Sequence, residues 1–151
     1  MYPDLAGTLL REALRDDYTP TTVYAYDDAR DTLFLRIDRT ANDSLKGIYS
    51  RYSIQLNTAV DPTTDAYEKG INTEHSWPQS KGAGAGHAKA DMHHLFPARD
   101  AVNSSRGNRP YAEIPDPETN AWWYRSRDRT SVPTGDRDRW SDSGGERFEP
   151  R

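Results

Sequence analysis

The sequence predicts an α+β fold: a single domain with helices at its N-terminus, a strand–strand–helix unit at its centre and long loops. Three observations carry this. Leu5, Leu9, Leu10 and Leu14 recur at helical spacing near the start. Short runs rich in β-branched and aromatic residues follow at 47–56 and 70–76. A third run at 91–97 then leads into a helical stretch at 99–106, stopped by Gly107 as a C-terminal cap.

The elements follow in order. The leucine spacing places an amphipathic helix over 4–17. Tyr26, Leu33 and Phe34 place a second over 24–36. The run G-I-Y-S-R-Y-S-I-Q-L alternates and reads as a strand over 47–56. D-P-T-T-D at 61–65 reads as a loop, and 70–76 as a strand broken by Pro78. G-A-G-A-G at 82–86 reads as a flexible loop without a phosphate-binding pattern. D-M-H-H-L-F-P is a short strand ended by Pro97. Residues 125–151 are expected to be loop-like, anchored by Val132, Trp140 and Phe148.

Composition bounds the chemistry. A chain of 151 residues suits one domain. Leu, Ile, Val and Phe fall below the roughly 20 % at which disorder becomes a concern, but four Trp and nine Tyr supply apolar area. A thin, aromatic-rich core is expected. The lack of cysteine excludes disulfides and thiolate metal sites. No apolar run is long enough to span a membrane. The opening M-Y-P-D-L-A-G-T-L-L-R lacks the basic and apolar regions of an intact signal peptide. A net charge of −4 and a pI near 5.5 argue against gripping nucleic acid by bulk charge. The segment 96–111 is locally basic, with Arg99, Arg106 and Arg109 against Asp100 alone.

One stretch, N-T-E-H-S-W-P-Q at 72–79, sets an acid beside a histidine. Neighbours on a strand face opposite ways, so Glu74 and His75 are no simple carboxylate–imidazole couple. Glu74 on the strand and Asn103 on the helix are hard oxygen ligands suited to Mg²⁺. His75 could stand across a substrate from such an ion and deprotonate a water.

E-H-S-W-P-Q-S, A-D-M-H-H-L-F-P and V-N-S-S-R-G-N-R-P-Y together resemble the bacterial endonuclease I family. The resemblance is closest over 72–114. The leading helix, Y-A-Y-D-D-A-R, the I-Y-S strand, W-S-D and F-E-P-R extend it more weakly. It implies a nuclease domain over 1–151 built around a ββα-metal (His-Me) finger, whose core is at about 70–110. It implies sequence-non-specific hydrolysis of phosphodiester bonds in DNA, and in RNA as well, to 5′-phosphate products. By motif position, His75 is the general base, and Glu74 and Asn103 hold a single Mg²⁺, or Mn²⁺ or Ca²⁺ in the same site. The family also sets an arginine near the scissile phosphate. No motif places it here. Arg99 is the first candidate, and Arg106, Arg109 and Trp77 are expected at the nucleic acid. A monomer, secreted or periplasmic, is implied. A further helix is expected beyond F-E-P-R, so either the chain is truncated or that helix is dispensable or supplied otherwise.

Plainer readings compete. Without its motif, Glu74–His75 is an exposed acid and a turn histidine, and Asn103 a local cap. His93 and His94 are expected to be structural, since adjacent strand residues cannot both join one site. That disfavours a zinc site with His87. Asp91 is expected to orient a loop or a histidine. Trp77 and Pro78 are expected to pack beneath the finger. Trp122-Trp123-Tyr124 reads as core plus one exposed ring, and Arg125, Arg127 and Arg129 as a solvated face. The rival function is a catalytically impaired or truncated nucleic-acid-binding module.

Overall fold

The buried side chains form two apolar clusters, and a two-stranded hairpin is the wall between them. The computed structural model describes residues 2–151. Helix α1 spans Gly7–Tyr18, and α2 spans Tyr26–Thr32 and runs on into a π-helical turn, Leu33–Ile37. Strands β1 (Ser44–Lys46) and β2 (Ser53–Gln55) pair antiparallel. Helix α3 (Pro62–Glu68) leads into β3 (Ile71–His75). A 3₁₀ turn, Gln79–Lys81, and a one-turn helix α4, Gly86–Lys89, come before β4 (Leu95–Arg99) and α5 (Asp100–Arg106). Then come β5 (Ala121–Tyr124), β6 (Arg127–Arg129), β7 (Ser141–Gly144) and β8 (Arg147–Glu149), an antiparallel sheet in the order β6-β5-β7-β8. The expected α+β class is the observed one.

Strand β3 pairs antiparallel with β4, with Ile71 opposite Arg99 and His75 opposite Leu95. Alternation along the strands sends Ile71 and Leu95 to one face and Ala98 to the other. Ile71 and Leu95 join Leu33, Phe34, Leu45, Ile54, Leu56 and Ala66. Ala98 joins Val102 of α5, Tyr49, Trp123 and Phe148. The aromatic contribution expected from composition is thus concentrated in the second cluster.

Several expectations need correction. Residues 47–56 are not one strand. The chain turns after Gly47, whose backbone lies so close to β4 that an added Cβ would sit 2.9 Å from the Arg99 nitrogen. It then passes through Arg51 in the left-handed region (φ 58°) before β2 begins. The expected loop at 61–65 is the start of α3. Asp61 caps it by accepting from the Thr64 N–H at 2.7 Å, and Pro62 takes the first turn, where a missing N–H does no harm. The run 91–94 is turn, and β4 passes through Pro97 instead of ending there. Pro97 turns its carbonyl to the segment after β1, accepting from Ile48 N–H at 2.8 Å. The flexible loop at 82–86 is turn running into α4. Residues 125–151, expected as loop, supply three of the four strands of the largest sheet. Helix α1 forms, but none of its residues is buried, and Leu9 is 64 % exposed.

Candidate active site

Strand β3 pairs only with β4, so its outer edge is free, and it ends at His75. A cavity of about 310 Å³ wraps this end and is lined by Glu74, His75, Gln79, Asn103 and Arg106 among others. Because it lies around a strand terminus, side chains from both faces of β3 reach it. The acid–histidine pair therefore lines one cavity without forming a couple.

Glu74 is buried. Tyr49 Oη donates to its Oε1 at 2.5 Å, and Arg106 Nη1 lies 3.1 Å from the same oxygen. Tyr49 Oη also meets Tyr111 Oη at 2.5 Å. Burial pushes the Glu74 carboxyl above its usual range, opposed by the Tyr49 hydroxyl and the Arg106 charge. Burial and the adjoining carboxylate push the Tyr49 phenol upward, so it stays a donor.

His75 is also buried. Its Nε2 lies 3.1 Å from the Lys89 carbonyl, which can only accept, so Nε2 carries the proton. Nδ1 is then the basic nitrogen, 3.3 Å from Gln79 Nε2. Burial lowers the imidazole below its usual range. The Lys89 carbonyl opposes this, while the charges of His94, Lys89 and Arg30 lower it further. A neutral ring with a defined basic nitrogen can take a proton near neutral pH.

Asn103 donates from Nδ2 to Asn72 Oδ1 at 2.7 Å and to the Thr73 carbonyl at 3.3 Å. Its Oδ1 takes part in no hydrogen bond among the described residues. A carboxylate and an amide oxygen on one cavity are the donor set a hard divalent ion accepts, so Glu74 and Asn103 fit such an ion.

The predicted arginines are distributed differently from the expected groove. Arg99 lies at the opposite end of the hairpin from His75. It packs over the Tyr52 ring (5.6 Å to the centroid) and lies 3.8 Å from Asp128, and it does not line the cavity. Arg106 lines it but is only 2 % exposed. Its guanidinium donates to the carbonyls of His75 (3.0 Å), Ser76 (2.7 Å) and Gly107 (3.0 Å). Arg109 turns back to the Ser105 carbonyl. Trp77 is 60 % exposed, with its indole N–H on the Lys81 carbonyl at 2.8 Å, so it does not pack beneath the unit as expected.

The structure brings in residues that sequence reasoning missed. Arg30 donates from Nε to Thr73 Oγ1 at 3.1 Å. Arg30 and Lys89 both lie over the Tyr26 ring, at 5.2 and 4.8 Å, and that ring adjoins His75 at 5.5 Å. The motif Y-A-Y-D-D-A-R contained both Tyr26 and Arg30, but nothing local to it indicated contact with β3. A second, larger cavity of about 470 Å³ lies elsewhere, lined by Lys46, Arg51 and Arg125 with Tyr52.

Two further histidines hold local contacts. His93 Nδ1 meets Asp91 at 2.7 Å, and His94 Nε2 meets the Ala88 carbonyl at 2.7 Å. Among the described residues no three His, Asp or Glu side chains converge as a metal-holding group, and His87, His93 and His94 do not come together. Trp122 and Trp123 are both buried, with Tyr124 partly so.

Neither a curated protein nor a solved structure matches the chain. A family model described as Endonuclease I matches residues 6–151. That match takes in α2, the hairpin, α5 and the four-stranded sheet, so it covers every element that builds the cavity. By this match the chain belongs to the endonuclease I family, a family of nucleases acting on nucleic acid.

Proposed function

We propose that the chain is a metal-dependent, sequence-non-specific endonuclease that cuts DNA and RNA through a ββα-metal finger and leaves 5′ phosphates. The observation that carries this is the His75 ring, held by the Lys89 carbonyl so that Nδ1 is the unprotonated nitrogen, in one cavity with Glu74 and Asn103. His75 Nδ1 takes the proton of a water aligned with the phosphorus. Gln79, beside the same nitrogen, orients the ring and the water. Glu74 and Asn103 would hold a Mg²⁺ ion, or Mn²⁺ or Ca²⁺, and such an ion supplies positive charge at the phosphate and the leaving oxygen. Tyr49 and Arg106 hold the Glu74 carboxylate in place and favour its ionised form against the effect of burial. Arg30 and Lys89 place positive charge on the Tyr26 side of His75, outside the cavity lining. Trp77, exposed at the rim, offers a ring for a base to stack on. Export to the periplasm or the medium accompanies this reading through the family resemblance.

Plasmid nicking with and without EDTA tests it. His75→Ala is expected to lose about 10²–10⁴ in rate while still binding DNA. A variant cutting within about threefold of the parent, or nicking untouched by EDTA, overturns the assignment.

A further inference from the structure

We infer that Asn72 and Asp100 are positioning residues that decide which atom of Asn103 faces the cavity. This rests on the reading of Asn103 as an ion ligand and names what holds it. Asp100 Oδ1 accepts from Asn72 Nδ2 at 2.6 Å, and Asn72 Oδ1 accepts from Asn103 Nδ2 at 2.7 Å. Asp100 is itself anchored, its N–H donating to the Gly70 carbonyl at 2.9 Å.

The direction of this chain is dictated by its end. An ionised carboxylate has no hydrogen to give. Asn72 must therefore turn its NH₂ to Asp100, which leaves its oxygen towards Asn103. That oxygen only accepts, so Asn103 must turn its own NH₂ inward. The second Asn103 amide hydrogen goes to the Thr73 carbonyl, another pure acceptor. With both hydrogens engaged, Oδ1 is the atom left for the cavity. A flipped Asn103 would set oxygen against oxygen at two places and present donors where a cation must sit. One acceptor-only group thus aligns two amides in series, from a residue that touches neither ion nor substrate. Outer partners of this kind set ligand orientation in metal sites generally.

The test is isothermal titration of the whole chain with Mn²⁺, alongside thermal melts without metal to show that each variant folds. The parent is expected to bind one ion, and Asn103→Ala to lose it. Asn72→Ala is expected to weaken Mn²⁺ about 10–100-fold. Asn72→Asp is expected to weaken it too, since two carboxylates then face each other. The double variant Asn72→Asp/Asp100→Asn reverses the first pair yet still offers Asn103 an acceptor. It is expected to return to within about threefold of the parent. If Asn72→Ala binds Mn²⁺ as the parent does, or the double variant stays as weak as Asn72→Asp, the relay is wrong. A parent that binds no Mn²⁺, or an Asn103→Ala protein that binds it equally well, overturns the ligand reading and this role with it.

Discussion

Arg106 shows how one residue can be misassigned from charge alone. Its place in a basic segment suggested phosphate contact, but its guanidinium is enclosed by Glu74 and three carbonyls. Removing one partner of a buried ion pair leaves the other charge uncompensated, at about 3–5 kcal/mol. Arg106→Ala is therefore expected to lower unfolding free energy by that order in urea titration. Arg106→Lys is expected to recover little, because a single ammonium cannot reproduce the planar fork. Glu74, His75 and Asn103 were legible because motif and spacing put them on adjoining elements. Arg30 was not, because its contact to Thr73 spans 43 residues of sequence and depends on how α2 packs. Tyr49 was likewise hidden: it reads as a strand residue, and only the turn after Gly47 aims its hydroxyl at Glu74.

At the scale of elements, legibility followed length and periodicity. Helix α5 and strand β3 were read closely because each has a clear stop: Gly107 (φ 55°) for the one, and the turn at Ser76–Pro78 for the other. Helix α3 was missed although Asp61-Pro62 is a start signal, since its seven residues carry little apolar pattern. The four-stranded sheet was missed because its strands are three or four residues long and one reads S-D-S-G. Yet this sheet supports the site. Phe148 on β8 is fully buried, packs edge-on against Tyr49 at 4.8 Å and stacks on Trp123 at 6.2 Å. Phe148→Ala is expected to cost about 3–5 kcal/mol by the cavity it leaves. It should also loosen Tyr49 from Glu74, so weaker Mn²⁺ binding at temperatures below the melt is the second readout.

For the whole molecule, a chain of mean hydropathy −1.01 folds around two small clusters, and it also buries charge. Asp142 on β7 is fully buried, and neither carboxylate oxygen has a hydrogen-bond partner among the described residues. Trp122 and Glu149 are its cross-strand neighbours. Burial pushes its carboxyl up to about 7. The Glu149 carboxylate adds to this, Arg151 opposes it, and Asp116 and Glu113 add smaller pushes. The unfolded chain releases this proton near pH 4. Between about pH 4 and 7 the folded form holds a proton that the unfolded form has lost. Stability on this account falls as pH rises across that window. Asp142→Asn is expected to leave stability unchanged near pH 4 and to raise it above pH 7, on the order of 1–3 kcal/mol. Denaturant titrations at the two pH values check this, and an equal gain at both would exclude the titration of Asp142 as its cause.

The hairpin that separates the two clusters has a kinetic consequence. Its residues belong to both apolar clusters, so neither half of the molecule can open alone without exposing apolar area on β3 or β4. Native-state hydrogen exchange should therefore find the cross-strand amides of 71–75 and 95–99 among the slowest, exchanging only through near-global opening. Helix α1, with no buried residue, should exchange near the rate of a frayed helix. The proposed catalytic groups would then sit on the most persistent part of the chain, and bound substrate would add little protection there. Slowing on substrate binding is to be looked for instead in the turns that border the cavity, at 76–81 and 107–109.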